Sequence, residues 1–284
     1  MLLVAAACLG QAASPLDPDE LVRRTVRNEV RAANDATDHL QFRSTKTTPK
    51  DSITRIYVQT KDATAGMTIA YDGKPLTAEQ RKAEEERLQG FLRDPEVLHK
   101  KRNQEHEDSE RTMRIVRAIP HAFLFQYAGE EQSSAGVGRP GHSLVKLTFR
   151  PNPSYQPPSR VEQVLVGMEG FVLIDADAGR LATIDGSLFR DVGFGWGILG
   201  HLDKGGHFLV QQAQESSDIW AVTRMHLKFN GKILLFKSLV IDSNEVFSDF
   251  QRVPADLTFA QAVEMLRKEE FPEPVTTNAS RNSQ

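Results

Sequence analysis

The stretch GMEGFVLIDADAGRLATIDGS, residues 167–187, decides how the chain is read. Asp177-Ala178-Gly179 is a short turn signal between two runs rich in Val, Ile and Leu, which predicts a tight antiparallel hairpin. In GFVLI (170–174) successive residues are all apolar, so both faces of that strand carry apolar groups. An antiparallel sheet with one solvated face would alternate instead. Either helices and loops cover both faces of this strand, or one face lines an apolar cavity.

The same texture extends in both directions. Short β-like runs recur at AFLFQYA (122–128), SLVKLTF (143–149), RVEQVLV (160–166), HFLVQQA (207–213), IWAVTRMHLKF (219–229), KILLFKSLVI (232–241) and EVFSDFQ (245–251). Asn230-Gly231 is a two-residue hairpin signal. Upstream, residues 52–60 and 66–71 are two further strands, the second ending at Asp72-Gly73. The expectation is one α+β domain over residues 17–270, a strongly curved antiparallel half-barrel of about eleven strands.

Helices frame this sheet. Asp17-Pro18-Asp19-Glu20 starts an N-terminal helix with Leu21, Val22, Val26, Val30 and Ala33 on one stripe. Thr77-Ala78-Glu79-Gln80 is a capping box that opens a helical insertion near 77–117, with a restart at Asp94-Pro95. Its middle, HKKRNQEHEDSER (99–111), is polar all round, as expected for a solvated arm. Thr258-Phe259-Ala260-Gln261 starts a C-terminal helix whose Phe259, Ala262, Val263 and Leu266 form a docking stripe. Residues 271–284 read as a disordered tail.

The chain has 284 residues, 39% hydrophobic and 26% charged, with a formal net charge of −3. No basic surplus points to nucleic acid. The lone cysteine, Cys8, excludes an intramolecular disulfide and a cysteine metal cluster. Residues 1–14, MLLVAAACLGQAAS, have the apolar run and small residues of a signal peptide or its remnant, which predicts export to the periplasm or envelope. Ala5-Ala6-Ala7-Cys8 also has some likeness to a lipoprotein cleavage box. No apolar run approaches the roughly 18 residues of a membrane span.

Motifs for chemistry fail on context. Gly195-Trp196-Gly197-Ile198-Leu199-Gly200 matches G-x-G-x-x-G, but no buried strand precedes it and no helix starts within it. His201 and His207 flank Asp203, but these ligand-type residues do not have the fixed spacing of a metal site. Turn chemistry accounts for Asp175, Asp177 and Asp185, beside Glu169, better than paired acid/base work does. No G-x-S-x-G elbow occurs. The expectation is a protein that is not an enzyme, with no cofactor and no metal.

Residues 167–181 and the ending Phe247-Ser248-Asp249-Phe250-Gln251-Arg252-Val253 together resemble the periplasmic lipoprotein-carrier superfamily of LolA-, LolB- and RseB-like half-barrels. The pattern is most similar to an uncharacterised branch of bacterial envelope proteins within it. The resemblance implies an apolar concave surface that binds a lipid, an acyl chain or a lipoprotein. Strand alternation nominates Phe123, Phe125, Tyr127, Leu147, Phe149, Val172, Ile174, Leu234 and Phe236 as its lining. Trp196, Ile198 and Leu199 form a candidate flap over the mouth. Two other readings stay open. One is a dry-core interaction module that meets another envelope protein through the 95–117 arm. The other is a loop-built metal-dependent or other hydrolase around His201, Asp203 and His207.

Overall fold

The computed structural model describes residues 17–35, 39–194, 200–217, 219–233 and 237–268. In chain order the elements are α1 (Pro18–Ala33), β1 (His39–Thr47), β2 (Ser52–Val58), β3 (Ala65–Tyr71), β4 (Lys74–Pro75), α2 (Ala78–Arg93) and α3 (Pro95–Ala122). Then come β5 (Phe123–Gln132), β6 (Ser143–Pro151), a 3-10 helix (Glu162–Gly167), β7 (Met168–Asp175), β8 (Arg180–Leu188), β9 (Val192–Phe194) and β10 (Gly200–Leu202). The chain continues through β11 (His207–Gln214), β12 (Trp220–Ile233), β13 (Lys237–Val253) and α4 (Phe259–Lys268). The strands form one 13-stranded sheet in the order β4-β3-β2-β1-β13-β12-β11-β8-β7-β6-β5, with β9 and β10 branching from β12. The sheet is open, and the fold is α+β as expected.

The predicted hairpin is β7–β8, turning at Gly179, whose φ of +62° suits glycine. Gly170 and Gly186 face each other across it. A Cβ on Gly186 would lie 2.6 Å from the Phe208 ring and 3.0 Å from the Phe149 ring. The glycine therefore makes room for two aromatic side chains over the sheet. Helix α1 is fastened to the turn end of the hairpin. Arg24 donates to the Ala176 carbonyl, Asn28 donates to the Gly179 carbonyl, and Glu29 accepts from Arg180 and from the Leu181 N–H.

Both faces of β7 are covered, which resolves the alternative posed by GFVLI at this hairpin. Val172 and Ile174 enter the main core with Leu147, Phe149, Ile184 and Leu188, where Leu21 and Val22 of α1 and Ala118 and Ala122 of α3 also pack. Leu173 points the other way, into a smaller cluster with Val137, Leu144 and Ala182 under the 133–142 loop. Arg139 of that loop grips Asp175 at the end of β7. A third cluster joins Ile56, Val58, Ala65 and Met67 of β2–β3 to Leu88 of α2 and to Phe259, Ala262, Val263 and Leu266 of α4. The docking stripe on α4 is thus fully buried, behind the predicted Thr258–Gln261 cap.

Three sequence expectations are corrected. Asn230-Gly231 is not a turn: β12 runs through it, pairing Asn230 with Val240 and Gly231 with Leu239. Gly231 is needed because β10 lies on the other edge, where a Cβ would sit 2.2 Å from the His201 carbonyl oxygen. Residues 160–166, expected as strand, instead lead into and form most of a 3-10 helix at Glu162–Gly167. Its start is secured by Ser159, whose hydroxyl donates to Glu162 at 2.5 Å and accepts from the Glu162 N–H at 3.4 Å. Helix α3 runs to Ala122, beyond Arg117, with Pro120 inside it. Strand β1 was not singled out from the sequence at all.

Candidate functional site

The β12–β13 and β1–β2 registers define one continuous inner face. Phe229 pairs with Ile241, Leu227 with Ser243 and Met225 with Glu245, and Phe229, Leu227 and Ile241 belong to the main core or pack against it. Alternation carries this face along β13 to Phe247. Ser44 pairs with both Phe247 and Arg55, and Phe42 pairs with Tyr57. The inner face therefore continues from the core through Met225, Glu245 and Phe247 to Phe42, Tyr57 and Arg55.

Helices make their main sheet contacts near its two ends. Helix α1 packs on β5 and β8, α3 on β5, α2 on β3, and α4 on β2 and β3, where it meets Ile56 and Val58, which alternate with Arg55 and Tyr57. In the stretch between, Phe42, Tyr57, Met225, Leu227, Phe247 and Phe250 are half-buried. Phe42 is their hub, with ring centroids 5.4 Å from Tyr57, 6.0 Å from Phe247 and 5.9 Å from Phe250. Phe250 joins this group at a bulge in the β1–β13 pairing, where Asp249 takes a φ of +57° and binds Arg43.

Helix α3 connects the two helix-covered ends. It has 28 residues, which span about 42 Å at 1.5 Å per residue. Leu98 packs in the β2–β3 cluster, and Glu105 accepts from the Thr64 N–H. At the other end Ile115, Ala118, Ile119 and Ala122 enter the main core. Between these anchors, residues 106–112 are all exposed, and their ion pairs stay within the helix.

Where α2 and α3 meet the sheet, a cavity of about 360 Å³ opens beside the aromatic stretch. Its walls include Arg55, Tyr57, Thr68, Glu84, Arg87 and Lys101. The Tyr57 ring lies over Gly66, where a Cβ would come within 2.6 Å of it. Glu84 accepts from the Thr68 N–H and from Arg87, and Arg87 donates to the Gly66 carbonyl. Helix α2 thereby satisfies the open edge of β3, a position that otherwise invites pairing with another chain. Burial pushes the Glu84 carboxyl upward, but its bonds to Arg87 and Thr68 outweigh this and hold it below the usual carboxylate range. Glu84→Ala is expected to lower unfolding stability by about 1–2 kcal/mol, by orphaning the Thr68 N–H and Arg87. Urea unfolding checks this, and an unchanged midpoint would refute the edge-capping role.

The nominated lining residues divide. Phe123, Leu147, Phe149, Val172 and Ile174 are buried in the main core beneath α1 and α3. Phe125 packs half-buried against them, completing an aromatic triad with Phe123 and Phe149. Tyr127 is exposed. None of these seven lines the cavity at Arg55 or the second one, of about 390 Å³, between the 133–141 loop and residues 213–215. Leu234 and Phe236, and the flap residues Trp196, Ile198 and Leu199, lie outside the described residues. The aromatic stretch around Phe42 was missed because β1 went unnoticed.

The chemical motifs are also placed. Residues 195–199 of the glycine motif lie outside the described residues; on either side of them Phe194 pairs antiparallel with Gly200, and Gly200 opens a strand, not a helix. His201 contacts Asp203, whereas His207 contacts Asp185 and stacks near His226. Among the described residues no group of three or more His, Cys, Asp or Glu could hold a metal ion. Asp175 serves the Arg139 pair and accepts from the Ala178 N–H, in keeping with the turn reading.

The fold and face together define an α+β protein with an open antiparallel sheet and a partly covered apolar face. Compared with known protein families and with curated proteins, the chain matches none. Among solved structures it is similar to a DUF1329 family protein from Desulfovibrio piger ATCC 29098, at 10% identity and a TM-score of 0.27, covering 84% of this chain and 94% of that one. A TM-score this low is no basis for carrying over a function. No helix among the described residues is long and apolar enough to cross a membrane.

Proposed function

We propose that this is an exported, non-enzymatic envelope protein that binds an acyl chain, alone or as part of a lipid or lipoprotein. The observation that carries the reading is the half-buried aromatic stretch Phe42, Tyr57, Phe247 and Phe250, on the inner face beyond the part that α1 and the end of α3 cover. Each methylene transferred from water to such a surface gains roughly 0.8 kcal/mol, so a short chain suffices for measurable affinity.

Native mass spectrometry of protein purified from a cell envelope is expected to reveal a co-purifying acylated species. In titrations of the purified protein, decan-1-ol should bind, and Phe42→Asp should abolish that binding in a protein that still melts cooperatively. A lipid-free protein that ignores decan-1-ol would sink the reading. The interaction-module reading would then gain, since the exposed turns at 106–112 offer a charged surface.

A further inference from the structure

The cavity beside the aromatic stretch is lined by three cationic side chains, Arg55, Arg87 and Lys101, and by one carboxylate, Glu84. Two of the cations are already engaged. Arg87 holds Glu84 at 2.8 Å and the Gly66 carbonyl at 2.6 Å. Lys101 holds Glu105 at 2.6 Å. Arg55 is half-buried, and no described residue forms a hydrogen bond or ion pair with it. A guanidinium presents five N–H donors in a planar fork suited to a carboxylate or phosphate, and leaving it part-buried without an anion is unfavourable. The Glu84 and Glu105 carboxylates are each held by another cation and by a backbone N–H. Among the described residues no carboxylate is left to pair with Arg55, and its guanidinium is open to a bound oxyanion.

The place of Arg55 says what kind of oxyanion. Arg55 and Tyr57 lie on the same strand face, and Tyr57 both walls the cavity and contacts Phe42. The apolar stretch thus runs directly into the cationic cavity. At about 360 Å³ the cavity lies at the lower end of small-ligand sites, roughly 300–1,000 Å³, enough for a headgroup and not for a long chain. We infer that this cavity binds the oxyanion headgroup, carboxylate or phosphate, of an amphiphile whose chain lies along Tyr57, Phe42 and Phe247. The inference rests on the acyl-binding reading above and adds to it a preference for anionic over neutral amphiphiles.

Calorimetric titration of the full chain with decanoate, decan-1-ol, dihexanoyl phosphatidate and inorganic phosphate tests it. Decanoate is expected to bind about tenfold more tightly than decan-1-ol. In Arg55→Gln that advantage should vanish while decan-1-ol binding is retained. A stronger preference for phosphatidate identifies a phospholipid as the source, and one for decanoate a fatty acid. Equal affinity for decanoate and decan-1-ol in the wild type would overturn the headgroup site and leave acyl binding standing. Phosphate binding that Arg55→Gln removes, with no decanoate or decan-1-ol binding, would keep the oxyanion site and overturn the acyl reading. Should Arg55→Gln fail to fold, phenylglyoxal labelling of the wild type decides: decanoate is expected to protect Arg55, and undiminished labelling overturns the proposal.

Discussion

Gly170→Ala is expected to destabilise the protein by about 3 kcal/mol or more, a large fraction of the about 5–15 kcal/mol that holds a typical domain folded. The reason lies in the central hairpin. A Cβ on Gly170 would sit 1.9 Å from the Asp185 carbonyl oxygen and 2.7 Å from the Gly186 Cα. Both are backbone atoms of the paired strand, so no side-chain rotation relieves the clash and the β7–β8 ladder itself must part. Gly73→Ala, at a turn where a Cβ meets nothing within 4 Å, should cost far less despite its positive φ. Urea unfolding of the two variants should separate them by midpoint at an unchanged slope. Equal midpoints would refute the close-approach account.

The second large effect is expected at Asp175. Its side chain is 1% exposed and meets Arg139, itself 23% exposed. Arg139 approaches through Nε at 2.5 Å and a terminal nitrogen at 2.7 Å, and the Ala178 N–H adds a third bond. Asp175→Ala leaves a part-buried guanidinium without its main counter-charge, and losses of this kind run to about 3–5 kcal/mol. It also frees the 133–142 loop from the strand that the loop shields. Burial alone would raise the Asp175 carboxyl, but the bonds from Arg139 and Ala178 outweigh it and hold it below the ordinary aspartate range. A carboxyl lowered on folding stabilises the native state at pH values above its unfolded pKa of about 3.9. That contribution is lost as the pH falls through the lower folded value. Wild type should therefore lose stability below about pH 4 more steeply than Asp175→Ala. Parallel stability–pH curves for the two would refute the assignment.

Much of the fold was legible because its signals are local. The β7–β8 hairpin, the capping boxes at Thr77 and Thr258 and the α4 stripe are each set by residues a few positions apart. Failures came where distant chain decides. Asn230-Gly231 has turn chemistry, yet Gly231 exists for the approach of β10, some thirty residues earlier in the chain. Strand β1 (HLQFRSTKT) carries mixed polar residues because one of its neighbours, β13, is half-solvated and supplies partners such as Asp249 for Arg43 and Glu245 for Ser44. Ser159-Arg160-Val161-Glu162 did carry a capping-box spacing, and the apolar run after it masked that signal.

The candidate site was less legible. Apolar alternation found Leu147, Phe149, Val172 and Ile174, which are core, because burial and ligand contact select the same residue types. What sets the Phe42 stretch apart is where the helices stop, and that depends on the anchors of α3 at Glu105 and Ile115. Arg55 is ordinary in sequence, and only its lack of a partner among the described residues marks it.

The pairing of β1 with β13, His39 opposite Val253, has a consequence for how the molecule is made. The strand in mid-sheet is the last to leave the ribosome. At synthesis rates of about 5–20 residues per second, β1–β4 and α2 are exposed many seconds before β13 arrives to join them to β5–β12. Until then the nascent chain holds two half-sheets, each with an unpaired edge. Pairing across so long a loop is intrinsically slow. The growing polypeptide thus passes through an aggregation-exposed interval that only its final strand brings to an end.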